Sequence, residues 1–418
     1  MEKPFDWPGG AVLEEHSRRK HKILREYVFD YLYVRCRVRL SAFRLAIVDG
    51  FAGGGRYQCG TAGSPIIFLE ELIRASVEVN VERAKNGLGP QAIECLLILN
   101  DAKPEAIALL KEQVDPFLID IEQNHPLLKV TPVYLQKPFE AVYPAIKQRL
   151  IAERHRSVLF NLDQCGHQRV DSRTISDMMA SFHSVEIFYT FAIQSLLAFL
   201  RKDDPEMIAR QVARLHIDPA IFADIEGGLS KQSWMGAAER IVFESFQSCA
   251  RYVSPFTINN PDGWRYWLIH FANAYRARQV YNNILHANSS MQAHYGRSGL
   301  DMLTYDPSHG DGRLYLFDEP GRESAVSQLL DDIPRLIIKE AAGLRVEQFY
   351  EDIYNLTPAH SDDIHTAIMG NPDIEVFTPE GGQRRRANTI SAKDRLTLKP
   401  QISFSMPGLT MVGAGRRT

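Results

Sequence analysis

Apolar residues along this chain recur in two alternating rhythms. Over 16–33, Ile23, Leu24, Tyr27, Val28, Tyr31 and Leu32 fall at helical spacing, with basic residues on the other face. An unbroken apolar run over 43–48 follows and ends at Asp49-Gly50, as expected of a strand buried on both faces. After a glycine-rich turn, Gly63-Ser64-Pro65 opens a helix through 75, with Ser64 expected as N-cap and Pro65 at the first helical position.

The alternation continues. Strands are expected over 95–99, 130–135, 157–162 and 185–192, and helices over 104–113, 139–151, 172–181 and 195–201. Strands alternating with helices imply βαβ units and a parallel sheet covered on both faces. A helical insertion over 203–250 interrupts the pattern. Runs over 255–258 and 264–271 flank an Asn/Pro/Asp/Gly turn and predict an antiparallel pair. Such a pair closing a parallel sheet is the usual end of a methyltransferase-type Rossmann fold.

Four regions follow: a basic helical segment over 1–44, a Rossmann-like domain over 45–296, a Gly/Asp/Pro-rich linker over 297–322, and a tail over 323–418. In the tail, helices over 324–340, 345–355 and 361–369 precede strands over 373–378 and 388–398. Three helices and a basic hairpin suggest a winged helix.

Composition excludes more than it selects. In 418 residues, 45% are hydrophobic and 24% charged, which is ordinary globular usage. The net charge of -3 names no partner, but its distribution is uneven. Residues 16–44 hold nine Lys/Arg against two acids, and 381–418 hold eight against one, so each block is +7 and the remainder carries -17. Two basic ends meet phosphate backbones or form solvated surface. Five scattered cysteines without a C-x-x-C argue against a disulfide framework or a zinc site. No secretory core opens the chain, and the longest apolar stretch, over 185–200, is interrupted by Gln194 and Ser195. A cytoplasmic protein that spans no membrane is the expectation.

The chemistry concentrates at expected strand ends. Asp49-Gly50-Phe51-Ala52-Gly53-Gly54-Gly55 follows the first strand. Ligands of doubly wound sheets sit beyond the carboxyl ends of the strands, and glycines let the backbone approach them. The pattern is neither a P-loop nor the dinucleotide G-x-G-x-x-G. It suits S-adenosylmethionine (SAM), with Asp49 receiving the methionine ammonium while Phe51, Ala52, Gly53 and Gly55 cradle the rest. Asp101, ending the second strand, either accepts ribose hydroxyls or caps the following helix. Asp163 and Gln164 end the fourth strand, where amino methyltransferases hold the acceptor amine. Gln164-Cys165 stands where those enzymes have a proline and an aromatic residue, which leaves an inactive site open.

Several segments together resemble the three-Cys-motif partner proteins, methyltransferase-like proteins of bacterial mobile elements. They are His16-x-x-x-Lys20-His21, Asp49-Gly-Phe-Ala-Gly53-x-Gly55-Arg56-Tyr57, Gly63-Ser-Pro65, Leu162-Asp163-x-x-Gly166 and Trp267-Leu-Ile-His-Phe-Ala-Asn273. The resemblance spans roughly 16–290. It implies a SAM-type fold, a three-Cys-motif partner protein, and a mobile-element or phage-defence setting. It also implies that Lys20, Arg56 and Tyr57 face the cofactor crevice, where they could bind substrate. Arg384, Arg385 and Arg386 in the tail hairpin would contact nucleic acid. A methyltransferase acting on nucleic acid is the first reading, a non-catalytic binding module of the same fold the second, and a nuclease the third.

Overall fold

The computed structural model describes residues 6–36, 41–201, 204–225, 231–259, 265–288, 292–295, 314–316, 319–340 and 343–400. Helix α1 (Glu15–Cys36) precedes an alternating series: β1 (Ala42–Asp49), α2 (Ser64–Lys85), β2 (Ala92–Asn100), α3 (Pro104–Asn124), β3 (Leu128–Leu135), α4 (Phe139–Ala152), β4 (Ser157–Leu162), α5 (Ser172–Ser181) and β5 (Ser184–Phe191). Then come α6 (Ile193–Phe199), α7 (Pro205–Val212), α8 (Ala220–Ala223) and α9 (Lys231–Gln247), followed by β6 (Tyr252–Asn259), β7 (Arg265–Ala272) and α10 (Tyr275–Ala287). The short β8 (Gln292–Tyr295) and β9 (Leu314–Leu316) complete the large sheet.

Its order is β3-β2-β1-β4-β5-β7-β6-β8-β9. Strands β1 to β5 pair in parallel, and β7 runs antiparallel between β5 and β6. This is the expected α/β sheet, mostly parallel at its centre and closed by an antiparallel pair, in the manner of methyltransferase-type Rossmann folds. Along β1 the side chains alternate between two cores. Leu45 and Ile47 pack with α1, α2 and α3, whereas Ala46 and Val48 pack with α4 and α5. Both faces are apolar, which is why the strand reads as an unbroken apolar run. Chain progression reverses between β1 and β4, so a crevice opens beyond their carboxyl ends.

The last part of the chain forms α11 (Glu319–Ile338), β10 (Leu344–Arg345), α12 (Val346–Ile353), α13 (Ser361–Gly370), β11 (Ile374–Phe377) and β12 (Arg395–Leu398). The small antiparallel sheet has the order β10-β12-β11. Its core, including Leu329, Phe349, Ile364 and Leu396, continues into Tyr252 and Ala272 of the large sheet. A polar seam fastens the two parts. Asn282 Nδ2 donates to Thr357 O (3.1 Å), Asn283 Nδ2 to Ser361 Oγ (2.9 Å), His286 Nε2 binds Pro358 O (3.0 Å), and Gln279 Nε2 donates to Tyr354 Oη (3.0 Å).

Several boundaries differ from those the sequence suggests. Helix α2 continues to Lys85, because Ser76 and Val79 keep an inward face beyond residue 75. Asn80 then clamps the return, with its Nδ2 donating to Gln91 O (3.0 Å) and its Oδ1 accepting from Gln91 N (2.7 Å). Gly63, rather than Ser64, occupies the N-cap, so Ser64 is the first helical residue and Pro65 the second. Helix α3 continues to Asn124 through Pro116, with Val114 and Ile121 prolonging its buried stripe. The linker expected over 297–322 contributes β9 to the large sheet, and α11 begins inside it at Glu319. The basic tail beyond residue 400 lies outside the described residues.

Candidate functional site

Asp49 ends β1 with no exposure to solvent. Its Oδ1 accepts from Phe51 N (3.3 Å) and from Asn161 Nδ2 (3.2 Å), and its Oδ2 has no hydrogen-bond partner. Burial pushes the carboxyl up to about 7, against the opposing pull of the Ser64 hydroxyl, Phe51 N and Asn161. Asn161 is the register partner of Asp49 across the β1–β4 pair, which is why the two side chains meet.

The turn after Asp49 is laced to the neighbouring strand ends. Gly50 N donates to Asn161 O (2.9 Å), and Ala52 N to Asn100 O (2.8 Å). Gly53 and Gly55 lie at φ +62° and +89°, a region that disfavours any side chain. Asp101 ties the turn down, because its Oδ2 accepts from Gly53 N (3.0 Å). Its Oδ1 accepts from Lys103 N (2.9 Å), and Lys103 is the N-cap of α3. Asp101 therefore lies beside the glycine turn instead of capping the helix.

On the other side of the crevice, α1 brings Lys20 to Asp163, just beyond the end of β4. Lys20 Nζ and Asp163 Oδ1 form an ion pair at 2.5 Å, with the Lys20 side chain 7% exposed and that of Asp163 21%. Burial works against ionising Asp163. The Lys20 charge and hydrogen bond, with His21 and Thr190, outweigh it and hold the carboxyl below its ordinary range. His21 is lowered to about 4 and His16 to about 3, in each case mainly by burial, so both rings are neutral at neutral pH. Lys20, His21, Asn161, Asp163, Phe188 and Thr190 line a small pocket here.

Other residues singled out from the sequence are distributed differently. Tyr57 is buried, with its ring 5.6 Å from His21, and so joins the crevice. The Arg56 guanidinium reaches Gly60 O (3.1 Å) and Glu70 (3.9 Å) and braces the loop. Phe51 packs at 5.9 Å from Phe139, and Ala52 belongs to the core around α2. Gln164 is 3% exposed and committed to its own loop. Its Nε2 donates to Tyr189 Oη (2.6 Å), and its Oε1 accepts from Arg169 N (2.9 Å) and Val170 N (3.2 Å). In the small unit, Arg384 pairs with the buried Asp394 through two bonds of 2.9 and 3.1 Å, while Arg385 and Arg386 are exposed.

Sequence reasoning did not single out Asn161, Thr190 or Trp7. Asn161 carried a signal as a polar residue inside the apolar run from Val158 to Leu162. Trp7 carried none, since it sits in a Pro/Gly-rich segment without periodicity. Among the described residues no group of three His, Cys, Asp or Glu is arranged to hold a metal ion, and no helix is long and apolar enough to cross a membrane.

These residues fit the cationic head of SAM. The Asp49 Oδ2 is an acceptor open to an ammonium group, and Gly53 carries no Cβ on the face that the Trp7 ring covers, whereas the corresponding face of Gly55 is filled by Leu110 and Gln113 of α3. No family model matches this chain, and no curated protein matches it. Among solved structures, spermidine synthase from Thermotoga maritima is similar at a TM-score of 0.27 and 9% identity, over 77% of this chain and 74% of that one. A likeness of that size carries no functional information, and the strand order alone makes this a methyltransferase-like fold.

Proposed function

We propose that the protein is a SAM-dependent, methyltransferase-like protein acting on nucleic acid. The observation that carries the reading is Asp49, a fully buried carboxylate with one unanswered oxygen beside a glycine cradle. Leaving a buried polar atom unpaired costs on the order of 1–3 kcal/mol, so a ligand ammonium there would remove a standing penalty. When bound, SAM supplies a methyl group on a sulfonium ready for transfer. Asp49 would hold the ammonium, Gly53 would admit the chain behind it, Gly55 at its positive φ would make the turn and let α3 pack close behind it, and Asp101 would take ribose hydroxyls by exchanging its bond to Gly53 N. Asp163 would orient the acceptor amine once Lys20 yields it. Alignment supplies most of the rate in such a transfer.

The helix and strand order of the small unit, α-β-α-α-β-β with its third strand central, supports reading it as a winged helix. Its exposed Arg385 and Arg386 fit phosphate contacts. A three-Cys-motif partner protein in a mobile-element or defence setting belongs to the same proposal.

A second reading, a non-catalytic binding module, is favoured by the Lys20–Asp163 pair. The carboxylate that would orient an acceptor already holds an internal ammonium, and Gln164 beside it is engaged within its loop.

Calorimetric titration with SAM and with its demethylated product tests the first reading. One site is expected, and Asp49→Ala should weaken binding by roughly 1.5–3 kcal/mol, as for a hydrogen bond to a charged group. The ligand-free carboxyl keeps its proton up to a pH of about 7. Affinity should therefore rise as pH rises toward 7 and fall again once the ligand's own α-ammonium loses its proton at about 8, while Asp49→Asn loses the rise. Absence of binding to the wild type would overturn the cofactor assignment. Binding without transfer of a labelled methyl group to DNA, RNA or protein would select the binding module.

A further inference from the structure

The glycine cradle already has an occupant from the chain itself. The Trp7 indole lies across Gly53 and Gly54. A Cβ on Gly53 would overlap the ring, and one on Gly54 would come within 2.8 Å of it. The ring centroid is 5.3 Å from that of Tyr57, which is buried in the same crevice. The surface that the glycines leave open to a ligand is thus covered by a planar bicyclic ring comparable in size to a purine.

The segment that delivers Trp7 is a short turn. Within it Gly9 N donates to Asp6 Oδ1 (3.1 Å) and Gly10 N to Trp7 O (3.2 Å). Gly10 takes a φ of +86°, which reverses the chain there. Ala11 is buried, and its carbonyl accepts from Gln58 N (2.8 Å), which anchors the segment just past the turn. Trp7 itself is half-buried and Asp6 exposed. The ring reaches the cradle from a turn outside the sheet, so it can leave while the sheet stays intact.

We infer that Trp7 is a displaceable cover of the glycine cradle, competing with the nucleoside portion of the ligand proposed above. The inference rests on that cofactor reading. A ligand that binds only the uncovered form has its apparent affinity reduced by the uncovered fraction. A cover closed in about nine molecules of ten therefore weakens binding roughly tenfold.

The test titrates S-adenosylhomocysteine into wild-type protein, Trp7→Ala and Trp7→Phe, with the thermal midpoint of each ligand-free protein as a folding control. Trp7→Ala should bind roughly three- to tenfold more tightly, with Trp7→Phe in between. Hydrogen exchange on the wild type should show residues 6–13 losing protection, and 50–55 gaining it, as ligand is added. Unchanged or weaker binding by a folded Trp7→Ala would overturn the cover while the cofactor reading stands, since the ring would then be idle or a wall of the site. If neither wild type nor Trp7→Ala binds the nucleoside, both the cofactor reading and the cover fall.

Discussion

The crevice beyond β1 and β4 and the seam along α10 both bury polar groups, but they satisfy them differently. The seam uses mainly neutral amides, aimed at carbonyls and hydroxyls of the segment running from Tyr354 to Ser361. The crevice gathers charge instead: Lys20 against Asp163, two histidines kept neutral, and Asp49 with an oxygen unanswered. Neutral amides facing backbone carbonyls are what a fixed joint needs, because each bond silences a group that would otherwise be orphaned. Partly answered charge is poor joinery and suits a place where a ligand completes the set. Arg278 departs from that pattern. It is fully buried, its Nε donates to Asn282 Oδ1 (2.7 Å), and neither Nη has a partner. Burial lowers it to about 9. Unlike Asp49, it borders no glycine turn and stands beside Tyr281 and Tyr354.

Removing one cation from each region separates the two modes. Lys20→Ala leaves the Asp163 carboxylate without its counter-charge in the crevice. Chemical denaturation should show a loss of about 3 kcal/mol, the low end for breaking a buried pair. A loss under about 1 kcal/mol would mean that the pair behaves as an exposed one. Arg278→Met should run the other way. It replaces an under-satisfied buried cation by an apolar chain, and stability should hold or rise by about 1 kcal/mol. A drop of more than about 2 kcal/mol would show that the guanidinium is answered in solution and that the seam carries charge as the crevice does.

The smallest effect concerns the hairpin. With Arg384 committed to Asp394, two arginines remain for phosphates. Replacing Arg385 and Arg386 by Ala should flatten the salt slope of duplex binding by about 1.8, at roughly 0.9 per contact. Arg384→Ala should act on the fold of the small unit instead, by exposing the buried Asp394 to an unpaired state. If all three replacements flatten the slope equally, the Arg384–Asp394 pair is dispensable.

The strands of the parallel sheet and the turn after Asp49 were legible because their signals are local. A strand buried on both faces must be continuously apolar, and a turn at positive φ asks for glycine. Lys20 was legible only as part of a family resemblance. Its partner Asp163 lies 143 residues away, and nothing in helical periodicity couples the two. The ends of α2 and α3 were misjudged because the inward face of α2 past residue 75 includes the polar Ser76 and Arg83 beside Val79, and because Pro116 reads as a stop inside the α3 stripe that Val114 and Ile121 continue. Strand β9 was missed because a three-residue strand in a Gly/Asp/Pro-rich stretch has no period to detect. Gln164 looked chemical because it follows Asp163, yet its contacts are with Tyr189 and its own loop.

Helix α1 also sets a timetable. It precedes the whole sheet, and while Arg25 finds Glu70 and Glu71 within 46 residues, two of its polar partners come late: Tyr27 bonds Glu186, 159 residues on, and Glu26 bonds Asn288, 262 residues on. At about 5–20 residues per second of synthesis, the helix waits roughly 10–50 s after it is made for the last of these to appear. Helix α2 and strand β1, which share the core of Ile23, Leu24, Val28 and Leu32, follow soon after it, whereas the residues that answer Tyr27 and Glu26 on β5 and at the end of α10 do not. One side of α1 can thus be covered early by α2, while the face that carries Tyr27 and Glu26 waits for the second half of the chain.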